Sequence, residues 1–141
     1  MQHHITDKGY VLRLAKGEEL ISSLVKFCEE QGIKNAVFQG IGAVGPVEIG
    51  YYNLASKEYF FRHEEGEFEV ASMQGNITLV DGKPFVHAHA VLSRCDETLE
   101  CFGAHFKEAY IAVTLEIFMT VLDSSIERKM DDAIGLKLLN I

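Results

Sequence analysis

The feature that most constrains the fold is a series of short strand-like runs that fills the middle of the chain. Turn-forming residues separate these runs, which are Val47–Asn53, Glu58–Arg62, Phe68–Met73, Asn76–Val80 and Phe85–Ser93. Asp81-Gly82 stands between two apolar runs and predicts a tight hairpin. The middle of the chain is therefore predicted to be mostly β-structure.

Only one segment has a clear helical pattern. Apolar residues recur at helical spacing from Leu20 to Cys28, and Gly32 follows where helices commonly end in a left-handed residue. Tyr10–Leu14, Asn35–Gln39, Ile111–Leu122 and Leu136–Leu139 add further predicted strands. These patterns predict a domain that combines several strands with one principal helix. With no linker or repeat, residues 1–141 are expected to form a single domain.

Composition and charge narrow the functional classes. The chain has 21 Asp and Glu residues against 13 Lys and Arg residues, a net charge of −8. Such a surface repels a phosphate backbone, so tight DNA binding by this chain alone is disfavoured. No apolar run reaches the roughly 20 residues that a membrane-spanning helix needs. The three cysteines are too few for a disulfide scaffold, and the first ten residues lack a signal-peptide pattern, so we expect a reduced, soluble, cytoplasmic protein.

A histidine pair is the strongest functional signal. His87 and His89 lie two residues apart in a predicted strand, so they project from the same face. A chain reversal near residues 96–98 brings the following segment back alongside, where His105 can join them. Three neutral imidazoles would hold Zn²⁺ and leave a fourth position for water or a small-molecule ligand. Nickel, copper and iron also accept imidazole, and the alternative is two histidines on a half-exposed strand with an unrelated third.

Glu116 is the second candidate site residue. It is the only charge in the apolar run Ile111–Phe118, where a carboxylate needs a partner such as a metal, a metal-bound water or a ligand histidine. A catalytic or proton-transfer role is one interpretation. The other is a side chain that simply faces solvent.

Two further patterns have structural interpretations. Gly40–Gly45 matches the dinucleotide-binding GxGxxG pattern, but Pro46 and a strand-like run follow instead of a helix, so we predict a sharp turn between strands. Cys95 and Cys101 flank a predicted turn, where they could face each other or supply sulfur to a metal, but we interpret them as small buried residues.

Taken in order, these residues resemble the PPC (plants and prokaryotes conserved) domain family in its stand-alone prokaryotic form. The resemblance spans nearly the whole chain and rests on Leu12–Leu14 with Gly17-Glu18, Gly32-Ile33, Phe38–Ala43, Phe68–Val70 with Gly75–Ile77, His87–His89, Gly103–His105, Thr114–Glu116 and Gly135–Leu139. It implies an α+β fold, in which a mainly antiparallel (mixed) sheet or partial barrel packs against one principal helix. It also implies a homotrimer with a metal site at His87, His89 and His105. The implied fold is also similar to that of acetolactate decarboxylase, a zinc enzyme, although function belongs to sites rather than folds.

The chain departs from the plant members of that family in two places. It has no Arg-Gly-Arg-Pro AT-hook, the element that reads the minor groove. The plant contact motif Gly-Arg-Phe-Glu-Ile-Leu appears here as Gly66–Ala71, with Glu67 in the place of the arginine. Both departures remove positive charge that nucleic-acid or partner recognition would use.

Three functional hypotheses follow. The first, implied by the resemblance, is a metal-binding domain with a DNA-associated or regulatory role. The second is a zinc-dependent enzyme, such as a lyase or hydrolase acting on a small carbonyl or carboxylate compound. The third is a structural oligomerisation domain whose metal only stabilises the assembly.

Overall fold

The computed structural model describes residues 1–141, which form nine strands and one helix. The strands are Gln2–Thr6 (β1), Gly9–Ala15 (β2), Ala36–Asn53 (β3), Glu58–Glu64 (β4), Phe68–Val80 (β5), Lys83–Arg94 (β6), Cys101–Val121 (β7), Arg128–Asp131 (β8) and Leu136–Leu139 (β9), and the helix α1 is Leu20–Gln31. Its length and polarity rule out a membrane span by this helix.

Strands β1 to β7 form one antiparallel sheet in the order β1-β2-β7-β6-β5-β3-β4. Because β3 also pairs with β7, the strands β3, β5, β6 and β7 pair in a closed cycle. The hairpin β8–β9 is separate and attaches to β5, where the backbone N–H of Leu79 donates to the carbonyl of Ile126 at 3.1 Å. The predicted mainly antiparallel α+β fold is confirmed.

The core lies inside this sheet, under the helix. Along β6 the inner residues are Val86, Ala88, Ala90 and Leu92, all buried. The helix α1 packs on β6 and β7 and buries Leu20, Leu24, Phe27 and Cys28. Burying a side chain such as Leu24 stabilises the fold by about 1.5–3 kcal/mol. Because every second residue of β6 from Val86 to Leu92 faces the core, the residues between them face outward.

Both ends of α1 are capped by side-chain or backbone groups. The Glu19 carboxylate accepts hydrogen bonds from the backbone N–H groups of Ile21 and Ser22 at 2.9 and 2.6 Å. Gly32 has φ 67°, and the next N–H, from Ile33, donates back to a helix carbonyl at 2.8 Å. The predicted helix and its end at Gly32 are confirmed.

The predicted turn at Gly40–Gly45 is wrong, because β3 continues through this segment without reversing direction. The pairing register shifts at Gly42, and a Cβ on Gly42 would lie 2.2 Å from the carbonyl oxygen of Thr114 on β7. The glycines therefore let β3 bend closely against β7 instead of reversing the chain. The two predicted strands between residues 68 and 80 are likewise one bulged strand, β5.

The interpretation of Cys95 and Cys101 as buried residues is also wrong. Both are exposed, because they lie at the end of the β6–β7 pair, where the connecting turn projects from the sheet. Cys28, on the inner face of α1, is the buried cysteine.

Candidate metal centre

The three predicted histidines converge on the outer face of the sheet. His89 on β6 pairs directly with His105 on β7, and His87 precedes His89 by one full strand repeat. The Nε2 atoms of His87 and His89 are 3.1 Å apart, and the three ring centroids are separated by 5.0 to 5.4 Å. One ring nitrogen from each histidine lies within 4.8 Å of the others.

Two glycines permit the close strand packing that brings these rings together. A Cβ on Gly103, two residues before His105, would lie 2.4 Å from the carbonyl oxygen of Ala90 on β6. A Cβ on Gly75 would lie 2.2 Å from the ring of Phe38 and 2.6 Å from the carbonyl oxygen of His87. Larger residues at either position would push β6 away from its neighbours and separate the imidazoles.

The surroundings of His87 and His105 favour their uncharged imidazoles. Burial lowers the pKa of His105 to about 4, and the neighbouring His87 and His89 act in the same direction. Burial is also the main reason why the pKa of His87 lies below its usual value, followed by the charges of His89 and Arg128. Neutral imidazoles are the form that binds metal ions, so protons compete little for His87 and His105 at neutral pH.

Three further observations fit a zinc-type ion. Nδ1 of His105 is buried and has no hydrogen-bond partner. A ring nitrogen that binds a metal ion needs no such partner. Nitrogens bound tetrahedrally at 2.0–2.1 Å from zinc lie about 3.3 Å from one another, close to the separation of the His87 and His89 nitrogens. His89 is exposed and borders an open cavity of about 430 Å³, so a fourth ligand can reach the site.

Sequence reasoning missed Arg128 and Tyr59, which lie beside the histidines. An Nη2 nitrogen of Arg128 is 3.5 Å from Nδ1 of His87 and donates to Oδ1 of Asn76 at 2.9 Å. The ring of Tyr59 lies 5.2 Å from that of His105. No local pattern marks these residues, because the separate β8–β9 hairpin and the edge strand β4 deliver them to the site.

Glu116 lies elsewhere on the outer surface. It is exposed, and its neighbours across the sheet are Arg13 on β2 and Ile41 on β3. Counted across the sheet from β6 through β5 and β3 to β7, three strand spacings separate His89 from Glu116. This corresponds to roughly 14 Å. Glu116 is not among the side chains that converge, and its catalytic role stays a prediction.

Fold and site together define a class of protein: a small antiparallel-sheet domain with one packed helix and three histidines converging on its outer face. The family model of the Plants and Prokaryotes Conserved (PCC) domain matches residues 1–123. The chain belongs to this family, as its sequence motifs predicted.

Several solved structures have the same fold. A plant- and prokaryote-conserved (PPC) protein of Pyrococcus horikoshii is 35% identical, with TM-score 0.87 over 99% of this chain and 95% of that chain. A metal-containing protein of Archaeoglobus fulgidus is 32% identical, with TM-score 0.85 over 100% of both chains. A candidate DNA-binding protein of Ralstonia eutropha JMP134 is 27% identical, with TM-score 0.90 over 99% and 95% of the two chains. No curated protein sequence matches the chain.

Proposed function

We propose that this protein binds one Zn²⁺ ion per chain through His87, His89 and His105. The convergence of three ring nitrogens within 4.8 Å carries the proposal. The metal-containing relative from A. fulgidus, which shares the whole length of the chain, supports it. Three imidazoles leave one coordination position for water or a small ligand, as in catalytic rather than structural zinc sites.

Competition with a chromophoric zinc chelator tests this proposal. The full-length protein is expected to take one Zn²⁺ per chain from the chelator, and His89→Ala is expected to weaken binding by more than the roughly 10–100-fold that loss of an outer partner costs. His63→Ala is the matched control, because His63 is exposed on β4 and its ring is hydrogen-bonded to Glu65, outside the histidine cluster. Equal zinc affinity in wild type and His89→Ala would disprove the assignment.

We also propose that the protein assembles as a homotrimer, as its family resemblance implies. The outer face where β3 meets β7 exposes Val37, Ile41 and Phe118 by 45%, 61% and 59%. Burying such side chains against further copies would remove a large apolar area from water. Glu116 lies beside Ile41 on this face. If Glu116 acts at a metal ion, that ion would therefore be bound by a neighbouring copy.

A DNA-associated regulatory role is the second candidate function, because a relative is named as a candidate DNA-binding protein. With a net charge of −8, any affinity is expected to be weak and to fall steeply with added salt. A gel-shift series over increasing salt decides this. The absence of a complex at the lowest salt concentration would eliminate direct DNA binding.

A further inference from the structure

A positive charge beside the histidines has no anionic partner. Arg128 is half-buried, and its guanidinium donates only to neutral groups: Oγ1 of Thr78 at 2.9 Å, Oδ1 of Asn76 at 2.9 Å and the carbonyl of Lys137 at 3.2 Å. The ion pairs of the chain do not include it. Burial lowers the pKa of Arg128, although a guanidinium stays charged at any physiological pH.

This guanidinium lies against the metal site itself. Its Nη2 atom is 3.5 Å from Nδ1 of His87, and Nε2 of the same ring faces His89 at 3.1 Å. Tyr59 lies close to both groups: its ring is 5.2 Å from that of His105, and the charge of Arg128 opposes the burial that raises the Tyr59 pKa. One imidazole ring therefore separates the metal-binding nitrogens from the arginine.

A bound metal makes the missing anion more necessary. A histidine that binds metal through Nε2 carries its proton on Nδ1, and ligand histidines generally give this N–H to a carboxylate, a carbonyl or water. For His87 the group in that position is Arg128, which is also a donor. A divalent ion and a guanidinium then place three positive charges beside neutral side chains, an arrangement that an anionic acceptor stabilises.

We infer that Arg128 binds the carboxylate group of a small molecule beside the metal ion. The planar fork of an arginine matches a carboxylate and carries the single charge needed to balance it. Beside the cluster, the rings of Tyr59 and Phe61 lie 5.2 and 6.3 Å from that of His105 and offer an apolar surface for a short carbon chain. The inference rests on the proposed metal site. Arg128 lies outside residues 1–123, the part of the chain that the family model matches.

Titration of the cobalt-loaded, full-length protein with sodium acetate tests this inference. Co²⁺ reports ligand exchange through its visible absorption, and acetamide serves as the uncharged ligand of similar shape. Acetate is expected to bind more tightly than acetamide, and Arg128→Met to weaken acetate roughly 10- to 100-fold, the loss of a charge-assisted hydrogen bond. Lys129→Met, which removes the same charge from the exposed neighbouring position, is expected to leave acetate affinity unchanged.

Three other results would contradict the inference, and each can be told from the others. Equal acetate affinity in wild type and Arg128→Met, with cobalt still bound, would overturn it and leave the metal site intact. Failure of the wild type to bind cobalt would overturn both. Tighter, Arg128-dependent binding of inorganic phosphate would contradict a carboxylate ligand. If the methionine variant does not fold, Arg128→Gln retains a donor toward Thr78 and gives the same comparison.

Discussion

Three imidazoles and the groups around them carry the function proposed for this protein. The strand repeat brings His87 and His89 together, and pairing of β6 with β7 adds His105. Partial burial lowers the pKa of His87 and His105 and so favours their uncharged rings. The outer surface of a sheet would otherwise leave such rings in water, where half of them would be charged near pH 6.5.

Acidification is expected to destabilise the metal-free protein through His105. Its pKa is about 4 when folded and about 6.5 in the unfolded chain, so the unfolded state binds more protons between these pH values. The free energy of unfolding should therefore fall as pH drops from 6.5 toward 4. In His105→Gln this fall should be smaller by about 1 kcal/mol, a figure that allows for solvent screening of a half-exposed group.

Urea unfolding at pH 7 and pH 4.5, with chelator present, measures the difference. His63→Gln, which replaces an exposed histidine outside the cluster, is the control. An identical loss of stability in wild type and His105→Gln would show that His105 is not held neutral by its surroundings.

One buried amide connects the sheet to the segment that positions Arg128. Asn35 is 1% exposed, and its Oδ1 accepts from the backbone N–H of Ile126 at 2.7 Å and from the hydroxyl of Ser124 at 3.2 Å. Its Nδ2 donates to the Ile126 carbonyl at 3.1 Å. This side chain therefore replaces regular strand pairing in the connection between β7 and β8.

Asn35→Ala is expected to lower the free energy of unfolding by about 2 kcal/mol, because the backbone N–H of Ile126 loses its acceptor. Hydrogen exchange should increase at Ile126 and along β8. Asn140→Ala, at an exposed asparagine, is the matched control and should change neither property. Unchanged exchange at Ile126 in Asn35→Ala would contradict this role.

The parts of the fold that the sequence could predict depend on local patterns. The helix was predictable because its apolar spacing and the Gly32 cap lie within one short segment, and the histidine pair because a strand repeats every two residues. Gly40–Gly45 was wrongly predicted as a turn, because its glycines are required by close packing against β7, which lies some 70 residues later in the chain. Arg128 reaches His87 only through the tertiary attachment of β8, so no sequence pattern could indicate it.

At the level of the assembled molecule, the exposed apolar face is expected to hold copies together. Sedimentation equilibrium should give a particle of three times the 15.8 kDa chain mass. Phe118→Lys should shift the distribution toward single chains, because a charge on this face cannot be buried without a partner. Leu54→Lys, on the exposed β3–β4 turn, should have no such effect. A monomeric wild type would contradict the trimer.

Elemental analysis of protein purified without a histidine tag decides whether the site exists. Wild type is expected to contain about one equivalent of zinc per chain. The double variant His87→Ala/His89→Ala, folded by circular dichroism, should contain almost none. Equal metal content in the two proteins, or none in either, would mean that the three histidines do not form a metal centre.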